Sequence, residues 1–298
     1  MTILEQNRLQ TINGYRIVRL LDRGEGSEVY LAIREQDQQQ VALKILPGRR
    51  MGEELTKFYV HAKKLARLRH PHIVHILDFG VEDDFAFLIM DYAPNGTLRE
   101  KHPRGSVLAP ETVNQYVQQI AAAIGYLHEQ TLIHRDLKPH NLLVGPRGEV
   151  LLGDFGIAVV SHSLDPLYPE QYDFEGTVLY AAPEQLIGRP RRSSDQYSLG
   201  VIAYEWLCGE CPFTGDFEAL VEQHLHKPAP PLRSKNPALS PLIEQVVMKA
   251  LTKDVEKRFP SIAEFAQALD WATAQVLTQK VRALPRPKRQ FKSPRLFP

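Results

Sequence analysis

One stretch of this chain concentrates side chains of the kinds that could move a phosphoryl group. It reads His134-Arg135-Asp136-Leu137-Lys138-Pro139-His140-Asn141, and Asp154-Phe155-Gly156 follows thirteen residues after Asn141. Transfer from a metal-bound nucleotide needs a carboxylate beside the acceptor hydroxyl, oxygen ligands for Mg²⁺, and cations facing the charge that develops on phosphate. Asp136, the pair Asn141 and Asp154, and Lys138 are residue types that meet those three needs. A tripeptide such as Asp-Phe-Gly arises alone by chance, but both motifs at this separation make coincidence a poor explanation.

The elements that must hold these residues change character along the chain. Short apolar or β-branched runs at 15–21, 29–33, 40–46 and 85–90, parted by Gly, Asp and Gln, read as strands. A helix is expected at 53–68, closed by His70-Pro71 because the residue before proline disfavours the helical region. Beyond Ala93 helices dominate. Val113, Val117, Ile120, Ile124 and Leu127 recur in steps of four and three within 111–128, the stripe of a core-facing helix. Further helices are expected at 195–207, 217–226, 241–251 and 261–274. A strand-rich first third before a helical remainder predicts two lobes with a cleft between them.

Composition bounds the rest. With 298 residues, 43% hydrophobic and 24% charged, the chain has enough apolar material for a large core, which excludes general disorder. Lys and Arg number 36 against 35 Asp and Glu, so the whole-chain charge of +1 gives no argument for a nucleic-acid partner. No apolar run approaches the ~18 residues of a membrane span, and the opening MTILEQNRLQ has no secretory pattern, so the expectation is a cytoplasmic chain. Cys208 and Cys211 are too few for a disulfide framework and read as incidental rather than as zinc ligands. Residues 281–298 hold six basic residues, no acid and four prolines, leaving the remainder of the chain net acidic. They read as an unfolded basic tail, either merely solvated or able to touch an acidic partner or membrane surface.

The two motifs give the chain a resemblance to eukaryotic-type (Hanks-type) Ser/Thr protein kinase domains in the style of those found in bacteria. It covers about residues 15–271, between an N-terminal extension (1–14) and the tail (272–298). The fold this implies is α+β and bilobal: a small, mainly β lobe with one helix at about 15–90, and a larger helical lobe at about 94–271. By the same resemblance Asp136 is the catalytic base or hydroxyl-orienting carboxylate, Lys138 neutralises phosphate charge, and Asn141 and Asp154 hold Mg²⁺. Val41-Ala42-Leu43-Lys44 matches the family's third-strand lysine motif, with Lys44 on the ATP phosphates. Val29, fifteen residues earlier, closes the glycine-rich loop. The implied nucleotide pocket comprises Leu21, Gly24, Gly26, Ser27, Val29, Ala42, Met90, Leu143 and the backbones of Asp91 and Ala93. Protein Ser/Thr hydroxyls are the implied acceptors.

Two departures stand out. The three glycine positions of the loop fall on Asp22, Gly24 and Ser27, so only the middle one is kept, and the Asp22 carboxylate would repel phosphate unless it turns away. His61 stands where the family has the helix glutamate that pairs with the lysine. A neutral imidazole accepts a hydrogen bond but brings no negative charge, which predicts slowed or regulated catalysis. The second reading is therefore a pseudokinase, a nucleotide-binding or scaffolding module that keeps the fold.

Past Asp154, the stretch to Ala182-Pro183-Glu184 resembles the activation loop. Arg135 resembles an arginine that awaits an anion on that loop. The anion is either phosphate on Ser161, Ser163, Tyr168, Tyr172 or Thr177, or the native carboxylates of Glu170, Asp173 and Glu175. Asp195 matches the aspartate that anchors the catalytic loop, and Arg258 the arginine that pairs with the Glu184 position.

Overall fold

The computed structural model describes residues 10–24, 27–47, 52–82, 85–154 and 178–283. Six strands, β1 (Thr11–Ile12), β2 (Tyr15–Gly24), β3 (Ser27–Arg34), β4 (Gln40–Pro47), β5 (Ile76–Glu82) and β6 (Phe85–Asp91), form one antiparallel sheet. Their order is β1-β2-β3-β4-β6-β5. Because β1 precedes the expected strands, Lys44 lies on the fourth strand rather than the third.

At the central strands β4 and β6 both faces of the sheet are buried, which is why these strands read as unbroken apolar runs rather than alternating ones. On one face Ala42, Leu88 and Met90 join a core that continues through Leu65, Leu68, Ile73 and Val74 into the helical lobe. On the other, Ile12, Tyr15, Tyr30, Leu43, Ile45 and Phe87 form a second core. The register pairs Ala42 with Met90 and Leu43 with Ile89, so neighbouring residues serve different cores.

Strand β5 escapes the sequence reading because Gly80 interrupts it. That glycine has a packing reason: a Cβ there would lie 2.6 Å from the ring of Phe87, its cross-strand partner. Helix α1 (Gly52–Leu65) stops short of the expected Leu68. Arg69 Nη1 donates to the carbonyls of Ala66 and Leu68 at 2.7 and 2.8 Å, satisfying groups that a longer helix would have bonded internally.

The second lobe is built of α2 (Leu98–Lys101), α3 (Pro110–Glu129), α4 (Pro183–Leu186), α5 (Arg192–Cys208), α6 (Phe217–His226), α7 (Leu232–Lys235), α8 (Pro241–Ala250) and α9 (Ile262–Ala283). The apolar stripe of α3 is buried throughout. A two-stranded hairpin, β7 (Leu142–Val144) and β8 (Val150–Leu152), lies under the cleft. The lobes are joined there: Val74 N–H donates to the Leu152 carbonyl, and Leu152 N–H to that of His72, both at 2.9 Å. Helix α9 runs on to Ala283, past the expected Ala274 and into the stretch read as unfolded tail. Ala272 and Thr273 are buried, so the core does not end at 271.

Leu43 is fully buried in the second core. Leu43→Ala is expected to lower unfolding stability by about 2–5 kcal/mol, measured by denaturant titration.

Candidate active site

The sheet register assembles the upper wall of the cleft. Val29 lies opposite Lys44 and Ala42 opposite Met90, so these four side chains share one face. Leu21 sits at the irregularity between Leu20 and Asp22, half-buried, and Gly24 pairs with Ser27 at the hairpin end. Gly26 lies outside the described residues. Asp22 is cross-strand partner to Val29 and therefore on the cleft face, where its Oδ1 accepts from Arg23 N–H at 2.9 Å. In the segment linking the lobes, Asp91 N–H is committed to the His75 carbonyl at 3.0 Å. Ala93 is buried next to it. From below, Leu143 on β7 lies against Gly153.

The lower wall hangs on one carboxylate. Asp195, 1% exposed at the start of α5, accepts from His128 Nε2 at 2.7 Å and from the N–H groups of His134 and Arg135 at 3.0 Å. Arg135 holds φ at +68° and Asp154 at +52°, left-handed conformations costing about 1–3 kcal/mol each in a non-glycine residue. At Arg135 the opposing bonds are the N–H to Asp195 and a donation from Gln185 Nε2 to its carbonyl at 2.6 Å. His134 then connects the two halves of the site. Its Nδ1 accepts from Asp136 N–H at 3.3 Å, which fixes the proton on Nε2, and Nε2 donates to the Gly153 carbonyl at 3.0 Å.

The polar residues converge. Asn141 gives both amide hydrogens to Asp136, one to its carbonyl and one to Oδ2, each at 2.8 Å. Lys138 Nζ lies 3.2 Å from the same Oδ2. Gly153 N–H donates to the Asn141 carbonyl at 2.9 Å, holding Asp154 beside Asn141. With its donors spent, Asn141 presents Oδ1, and that oxygen with the Asp154 carboxylate is a hard-oxygen donor set suited to Mg²⁺.

Lys44 reaches across the cleft to Asp154 Oδ1 at 2.6 Å. Burial alone would raise the Asp154 carboxyl, but the Lys44 ammonium, with Lys138 and His134, outweighs it and holds the group below its ordinary value. Lys44 thus takes its partner from the lower lobe, whereas His61, on α1, leaves a buried Nε2 with no hydrogen-bond partner among the described residues. Burial, then the charges of Lys64 and Arg135, push that imidazole below its usual value and keep it neutral.

A second buried ion pair supports the floor. Arg258 forks onto Glu184, Nη1 to Oε1 at 2.8 Å and Nη2 to Oε2 at 2.9 Å, and the Ser194 hydroxyl donates to Oε1 at 2.7 Å. Burial opposes ionisation of Glu184, yet the Arg258 bonds prevail and hold its carboxyl low. The sequence reading missed Gln185, Gly153 and the cluster in which Arg99 and the Tyr180 hydroxyl both donate to Glu205. Gln185 and Gly153 adjoin motif residues, which was their only signal; for Arg99 and Glu205 there was none. Ser161, Ser163, Tyr168, Tyr172 and Thr177, with the loop carboxylates, lie outside the described residues.

A curled antiparallel sheet above a helical lobe, with a lysine, two aspartates and an asparagine converging in the cleft between them, defines a phosphoryl-transfer scaffold. A family model described as protein kinase domain matches residues 15–271, and the chain belongs to that family. The serine/threonine-protein kinase PrkC of Bacillus subtilis is 33% identical over 249 residues, covering 82% of this chain and 38% of that protein. PknF of Mycobacterium tuberculosis, also called a serine/threonine-protein kinase, is 38% identical over 272 residues, 87% of this chain and 56% of its own length. PknA of the same species is 32% identical over 295 residues, 95% of this chain and 65% of its own. The chain therefore spans about two fifths to two thirds of these relatives.

Removing Arg258 strands a buried carboxylate, so Arg258→Ala is expected to cost about 3–5 kcal/mol in denaturant unfolding. Because Glu184 is held low when folded, its contribution is present above about 4.5 and fades as pH falls through the folded value. Glu184→Gln should therefore lose less stability than the natural protein on acidification below that point, read as the pH dependence of the unfolding midpoint.

Proposed function

We propose that this chain is an ATP-dependent serine/threonine protein kinase domain that uses Mg²⁺ and transfers the γ-phosphoryl group to Ser or Thr hydroxyls of proteins. The observation that carries this reading is the single bonded set in the cleft, Lys44 to Asp154, Asn141 to Asp136 and Lys138 to Asp136. Bound Mg²⁺ would offset phosphate charge, held by Asn141 Oδ1 and the Asp154 carboxylate. Asp136 orients the acceptor hydroxyl and takes up its proton. Lys138, already against Asp136 Oδ2, faces the charge that develops on the transferring group. Lys44 lies on the same face as Val29, Ala42 and Met90, where an adenine and its phosphates fit between the sheet and Leu143. No helix among the described residues is long and apolar enough to cross a membrane. Residues past 283 remain a proposed basic extension, open to an acidic partner or membrane surface.

The pseudokinase reading draws on the neutral His61 in place of a carboxylate and on Asp22 and Ser27 at two of the three loop glycine positions. Incubation with Mg-[γ-³²P]ATP and a generic protein acceptor separates the two. Incorporation should exceed that of Asp136→Asn by about a hundredfold or more; no excess selects the pseudokinase. His61→Glu is expected to raise the rate severalfold by giving Lys44 a partner other than Asp154. An unchanged rate would show that this pairing does not limit transfer.

A further inference from the structure

One charged cluster that phosphoryl transfer does not use lies on the outer face of the sheet, behind the departures at Asp22 and Ser27. Side chains alternate along a strand, so where Asp22 and Val29 face the cleft, their neighbours Arg23 and Glu28 pair on the opposite face. Glu28 is 5% exposed there, beside Tyr30 and Ile45 of the second core. Its carboxylate is held from two sides: Arg23 Nη2 lies 3.0 Å from Oε1, and the Tyr30 hydroxyl donates to Oε2 at 2.7 Å.

This pair sits where the β2–β3 hairpin leaves the rest of the sheet. Pairing of β3 with β4 begins at Glu28, opposite Ile45, so among the described residues Gly24 and Ser27 are strand partners of each other alone. A ribbon of two strands is marginal by itself, and its direction is set at its root. A buried carboxylate deprived of its cation is costly, so without Arg23 the root relaxes until water reaches Glu28. In the protein kinase reading the hairpin end covers the ATP phosphates. Asp22 is one residue from Arg23 on the cleft face. Any tilt of the root therefore changes the separation between its carboxylate and phosphate, and their repulsion with it.

We propose that Arg23 and Glu28 clasp the root of this hairpin and act as positioning residues for ATP, setting how near the Asp22 carboxylate comes to the phosphates. This rests on the protein kinase reading and adds to it a determinant of nucleotide affinity outside the cleft. The clasp makes a prediction of opposite sign to simple charge: removing the negative charge of Glu28 weakens ATP, although it takes an anion away from the phosphates.

The test is the dissociation constant of the full chain for the β,γ-imido analogue of Mg-ATP, which is not turned over, measured by calorimetry. Glu28→Gln keeps an acceptor for the Tyr30 hydroxyl and should weaken binding about tenfold, as should Arg23→Gln. The two together should be no worse than either alone, because both break one contact. Combined with Asp22→Asn, the effect of Glu28→Gln should shrink to within about twofold, since the charge that the clasp positions is gone. Should Arg23→Gln not fold, Glu28→Gln with and without Asp22→Asn decides by itself. Unchanged or tighter binding by Glu28→Gln overturns the clasp, as does an equal loss with and without Asp22→Asn. Additive losses from Arg23→Gln and Glu28→Gln overturn it too. Failure of the natural protein to bind the nucleotide at all instead defeats the kinase reading on which the clasp rests.

Discussion

The loop that carries Asp136 is held by the buried carboxylate of Asp195. Three donors from two segments meet on it, and two of them are consecutive backbone N–H groups, those of His134 and Arg135. A carboxylate is the side chain that accepts two neighbouring amides at once while bonding a third group, so the backbone at Arg135 is fixed in a conformation it would otherwise avoid. That turn sets the direction of Asp136. From Asp136, bonds run through Asn141 and His134 to Gly153, so the residues proposed for metal and for hydroxyl share one bonded framework. Glu184 and Arg258 repeat the device below, with Gln185 linking this second anchor to the Arg135 carbonyl.

The upper lobe is tied to this body by a different bond. Lys44 reaches Asp154 directly, and the helix residue nearest the family's glutamate position, His61, brings no charge to compete. One carboxylate therefore both positions the lysine and serves as a proposed metal ligand. The adjoining departure at Asp22 keeps its charge on the cleft face, where the carboxylate accepts a bond from the Arg23 N–H. Both departures concern lysine positioning and phosphate cover, and leave Asp136, Lys138, Asn141 and Asp154 in place.

Much of this was legible in the residues. The stripe Val113, Val117, Ile120, Ile124 and Leu127 specified its helix, because a period near 3.6 forces one buried face. The continuous apolar runs of β4 and β6 marked strands buried on both sides. Strand β5 was hidden because its glycine is explained only by a phenylalanine on the neighbouring strand. The end of α1 and the continuation of α9 to Ala283 were misjudged for a related reason. Helix ends are settled by whatever satisfies the terminal carbonyls and by what the last turns bury, and both lie elsewhere in the chain.

The sequence by itself pointed to the family and singled out the side chains proposed to react, because the spacing of short motifs within one loop is a local property. It also determined where the pairing should be abnormal, at His61 and Asp22. Only the tertiary structure decided that Lys44 takes Asp154 as its partner and that Asp195 and Gln185 together hold the backbone of Arg135. These are contacts between residues tens of positions apart. Their distances depend on how two cores pack across a cleft, which no local pattern encodes.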